Sequence, residues 1–173
     1  MKRLLLAAAL LLHSAPALAQ GEIFDLHVHL HEGTESLREY EAQNEAASVE
    51  VSGFGAMWFG GPNQALAGDV EATRAANDAL LALATADSRM LPIATVHPYD
   101  GKAALAELER VADLGVKVLK IHPHTQRFEV ADPRVTALVK RAGELGVTML
   151  IDNAGIVPGD TENLFNLALA NPK

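Results

Sequence analysis

The chain has 173 residues, 49% hydrophobic and 21% charged, with a formal charge of −8 and no cysteine. That composition excludes a disordered chain and a disulfide scaffold, and fits one modest domain held by an ordinary core. An acidic balance without a Lys/Arg-rich patch argues against a nucleic-acid partner, which needs a basic face.

Lys2 and Arg3 precede an apolar run from Leu4 to Leu12, followed by Pro16 and the small-residue pattern Ala17-Leu18-Ala19. The run is too short to span about 30 Å of hydrocarbon, so residues 1–19 read as a signal peptide cleaved after Ala19. Residues 20–173 are then expected as one domain, periplasmic or secreted, with no membrane attachment after cleavage.

Beyond the leader, short apolar runs alternate with helical patterns. Ile23 to Leu30, Val51 to Phe59, Met90 to His97, Val116 to His122 and Val147 to Asp152 read as strands. Strand alternating with helix predicts βα units and a parallel sheet. Helices are predicted over 69–86, 103–114, 132–145 and 160–170. Leu105, Leu108, Val111 and Ala112 form an apolar stripe closed by Gly115; Asp132 is a candidate N-cap, with Pro133 in the first turn and Gly146 after the end.

The first strand, FDLHVHL, alternates polar and apolar residues. In a strand this expects Asp25, His27 and His29 on one face and Phe24, Leu26, Val28 and Leu30 on the other. Two neutral imidazoles two residues apart can hold one zinc, manganese or iron ion. An isolated H-x-H also describes a surface strand, but the inner face of an enclosed parallel sheet offers no water to satisfy it. Asp25 either orients a ligand histidine or makes a structural hydrogen bond, and His31 reads as a loop residue.

Ligand-capable residues gather at the expected C-terminal strand ends: His27 and His29, His97, His122 and His124, then Asp152 and Asn153, with Trp58-Phe59-Gly60-Gly61 at the second. Parallel β/α folds build their sites at that end. VKVLKIHPH, read as a strand, puts Val118, Lys120, His122 and His124 on one face. An inward lysine is costly unless paired, so Lys120 either meets a carboxylate or serves the site, for example carbamylated between two metals. His122 is a ligand, a substrate contact or a packed histidine, and His97 before Pro98 reads as structural.

The stretches FDLHVHL, NDALLALATADSRMLPIATVHPYDG, GVKVLKIHPHTQRFEVADPRV and GVTMLIDNAGIVPGDTENLFNLALANP together resemble the amidohydrolase superfamily, in its amidohydrolase-related branch of metal-dependent hydrolases and decarboxylases built on a (β/α)8 barrel. The resemblance implies a divalent metal, zinc or manganese, on His27 and His29. It places Asp152 of LIDNAG where the family pattern has a metal-binding histidine, and a carboxylate there suits a harder ion such as manganese. His122 and His124 are the candidate substrate contacts. The aspartate expected as catalytic base lies beyond Lys173.

Five strands cannot close a barrel of about 250 residues. The expectation is therefore α/β, an incomplete (β/α)8 TIM barrel with about five βα units, the front part of a longer protein and inactive as given. Its edges at strands one and five leave association of copies open. The implied function is that of an exported metal-dependent hydrolase, with metal-activated water attacking an amide, ester or lactone carbonyl of a small molecule. Non-oxidative decarboxylation of an aromatic acid on the same barrel, or non-catalytic periplasmic binding of a metal or ligand, are the alternatives.

Overall fold

The computed structural model describes residues 22–57, 65–153 and 157–171; the leader and Trp58-Phe59-Gly60-Gly61 lie outside them. Five strands form one sheet: β1 Ile23–His29, β2 Val51–Met57, β3 Met90–Thr95, β4 Val118–Ile121 and β5 Thr148–Ile151. Their spatial order repeats the chain order, and every pair is parallel. The helices are α1 Thr34–Ala46, α2 Val70–Ala86, α3 Lys102–Asp113, α4 Pro123–Gln126, α5 Pro133–Glu144 and α6 Asp160–Ala170. The architecture is an incomplete (β/α)8 barrel, its five strands curled into a half-barrel with helices.

Local chemistry accounts for the helix ends. Asp132 caps α5, its carboxylate accepting from the Arg134 N–H at 2.8 Å, with Pro133 at the first helical position. Gly115 and Gly146 close α3 and α5 at φ 97° and 69°, a conformation that side chains disfavour. The buried stripes are Ala104, Leu108 and Val111 on α3, and Val135, Leu138 and Ala142 on α5. Both pack in one cluster with Leu119 and Ile121 of β4. A smaller cluster joins Val28, Leu30, Phe54, Ala56, Leu80 and Met90, with Leu37 and Tyr40 of α1 packed on it. The opposite, inner face carries Met57 and Ile93 against Val118 and Leu150.

Two local expectations fail. From Asp25 to Val28 the first strand advances three residues while β2 advances two, from Phe54 to Ala56, so β1 carries a bulge. The bulge breaks the alternation. Asp25 lies opposite Phe54 and bonds Tyr40 on the helix side, where Val28 and Leu30 also pack. His29 instead lies opposite Met57 of the inner face. Asp25 therefore does not share a face with His29. Likewise β4 stops at Ile121, and His122 caps the short α4, which Pro123 starts. His124 sits on α4, exposed, and not on the strand face with Val118 and Lys120.

Candidate functional site

The end of β1 brings two imidazoles together. His27 Nε2 lies 2.9 Å from His29 Nε2, the rings stack at 4.9 Å, and His31 stacks on His29 at 5.5 Å. An ion about 2.0–2.1 Å from each nitrogen spans that separation, and neutral imidazole pairs are chemistry that zinc or manganese accepts. The pair thus offers two of the donors that a divalent ion takes. Asp25 reaches the pair through the backbone: its Oδ1 accepts the His27 N–H at 3.0 Å and its Oδ2 accepts the Tyr40 hydroxyl at 3.2 Å. Along the edge strand β1 runs a cleft of about 450 Å³, reached from both faces of the strand and lined by Asp25, Val28 and the three histidines together with Ser36, Glu39 and Tyr40 of α1.

A second group forms where β4 and β5 end. Lys120 neighbours Thr95 and Leu150 in register and is 2% exposed. Its Nζ lies 3.7 Å from Asp152 Oδ2, while His122 Nε2 lies 3.4 Å from Asp152 Oδ1. Burial pulls the Lys120 ammonium below its usual value, and the Asp152 charge opposes that pull. His122 is also held below the usual imidazole value, first by burial, with Asp152 acting against it and the Lys120 and His124 charges adding to it. A neutral His122 follows at pH 7. Its Nδ1 accepts from the Thr125 N–H at 3.4 Å, so its proton belongs on Nε2, facing the carboxylate.

His27 pairs with His29, and His122 with Asp152. Among the described residues, no three His, Cys, Asp or Glu side chains gather closely enough to hold an ion. His97 is structural, as its place before Pro98 indicates: 1% exposed, it accepts the Tyr99 N–H on Nδ1 at 3.0 Å and meets the Gln126 carbonyl through Nε2 at 2.7 Å. Sequence reasoning missed Gln126. Buried, its amide donates to the Ala65 and Val96 carbonyls and accepts the His122 N–H, fixing the start of α4. A polar residue four positions after His122, within a Pro-started turn, was the available signal.

Residues 24–167 match the sequence profile of the family described as Amidohydrolase. The chain belongs to that family. Solved structures share the fold, two of them as follows. One, from Staphylococcus aureus and described as an amidohydrolase, is 21% identical over 78% of this chain and 48% of its own, with a TM-score of 0.62. The other, 5-carboxyvanillate decarboxylase LigW from Sphingomonas paucimobilis, is 24% identical over 65% of this chain and 34% of its own, with a TM-score of 0.55. This member of the family thus spans about half or less of either structure. No curated protein matches it. Amidohydrolase superfamily members generally use divalent metals.

Proposed function

We propose that this protein is an exported metal-dependent hydrolase of the amidohydrolase superfamily, acting on a small-molecule amide, ester or lactone. The observation that carries the reading is the 2.9 Å approach of His27 Nε2 and His29 Nε2 at the end of β1, in a chain matching the family over 24–167. His27 and His29 would hold a zinc or manganese ion as neutral donors. When bound, the ion supplies polarisation of the substrate carbonyl and a lowered pKa for water. The remaining groups act by position. Asp152 offers a carboxylate at the same end of the sheet, as a further donor or as a base. Lys120 and the His122 Nε2–H approach that carboxylate from two sides. His124, exposed beside them, is available to an entering substrate.

Decarboxylation is the second reading, favoured by the likeness to LigW, whose name gives it a carboxylated aromatic substrate. Release of carbon dioxide from aromatic acids, against cleavage of esters and lactones, by the Mn- or Zn-supplied protein separates the two. The deciding experiment for the site is elemental analysis of His27→Ala and His29→Ala. Each should lose bound metal while the metal-free form melts as before, since each side chain then gives up mainly the ion. Full occupancy in both variants would sink the reading. Export rests on residues 1–19, and mass spectrometry of the mature protein should find Gln20 first; an intact Met1 would refute it.

A further inference from the structure

We infer that Asp25 and Gly55 are positioning residues: together they build the β1 bulge that turns His29 to the inner face and sets His27 against it. The inference rests on the reading of these histidines as ligands. With unbroken alternation from Asp25, which lies on the helix side, positions 27 and 29 would follow it there. The extra residue between Asp25 and Val28 reverses the register, so that Val28 enters the helix-side cluster and His29 falls opposite Met57.

Two contacts stabilise this irregularity. A bulge costs the strand a ladder bond, and the His27 N–H is satisfied instead by Asp25 Oδ1 at 3.0 Å. Asp25 is itself tied to α1 through Tyr40, whose ring packs 5.3 Å from Phe54. Across the bulge, Gly55 leaves the room it needs. A Cβ there would stand 2.7 Å from the Leu26 carbonyl oxygen and 2.9 Å from Ile93 Cδ1. The first of these is backbone and cannot swing aside, so any side chain at 55 pushes on the bulge itself. Neither Asp25 nor Gly55 needs to touch an ion to govern how well the two imidazoles meet one.

Zinc affinity, measured by competition with a chromophoric chelator, and amide exchange at His27 test this on the whole protein. Asp25→Ala and Gly55→Ala should each weaken zinc binding by roughly 10- to 100-fold, as lost support of ligands does. Asp25→Ala should also speed exchange of the His27 amide. Asp25→Asn, which keeps an acceptor oxygen, should restore both. If Gly55→Ala fails to fold, the Asp25 series decides alone. Unchanged affinity in Asp25→Ala, even with a lowered melting temperature, would overturn the inference while leaving the ligand reading intact. No zinc uptake by the unaltered protein would overturn both.

Discussion

Lys120 is a charge on an inner face that carries the apolar Met57, Ile93, Val118 and Leu150. Its 3.7 Å contact with a carboxylate that is 29% exposed is a long one, and desolvating an ammonium for such a pair rarely returns net stability. Lys120→Met should therefore leave the protein as stable as before or stabilise it by about 1 kcal/mol, since Asp152 keeps access to water. A melting temperature lowered by several degrees would show that the pair holds the fold together. His97 was legible in the sequence because Pro98 fixes the turn around it. Gln126 was not, because Ala65 and Val96, which it holds, stand far from it in the chain.

Between elements, α2 and α3 are clamped by Glu107, which is 3% exposed. It accepts from Asn77 Nδ2 at 2.9 Å, from Arg74 at 3.2 Å and from Arg110 through two nitrogens at 2.8 Å. Burial pushes its carboxyl up, but Arg110, Asn77 and Arg74 outweigh burial and hold it below the usual 4.5. The folded carboxyl thus binds its proton more weakly than the unfolded one. The resulting stability is complete above pH 4.5 and is lost as pH falls through the lower folded value. Glu107→Gln should cost about 1–3 kcal/mol at pH 7, less than a fully buried pair because Arg74 is 45% exposed, and the gap to the unaltered protein should close in acid. Urea melts across pH 3 to 7 would measure it; a gap independent of pH would refute it. Elements of this kind were readable wherever a residue type announces its own geometry, as Asp132, Pro133, Gly115 and Gly146 do. The β1 bulge was hidden because FDLHVHL alternates without a break, and the sign of it lay on the neighbouring strand, in the glycine at 55.

Across the whole molecule the core is uneven. Among the described residues, fifteen buried ones gather around β3, β4, α3 and α5, against six around β1 and β2, and Phe24 and Leu26 of the edge strand stay 52% and 48% exposed. Regions with fewer buried apolar contacts open at lower free energy. Hydrogen exchange should accordingly release the amides of β1 and α1 well before those of β4 and α5, and equal protection throughout would contradict this distribution. The order of the strands has a consequence of another kind. Among these five strands each later one pairs with the one made just before it, so none of these four pairings skips over another strand. A polypeptide delivered from its N-terminus, by a ribosome or through an export pore, finds each new βα unit a ready edge on the unit preceding it. Assembly can keep pace with emergence, without the chain threading back through itself.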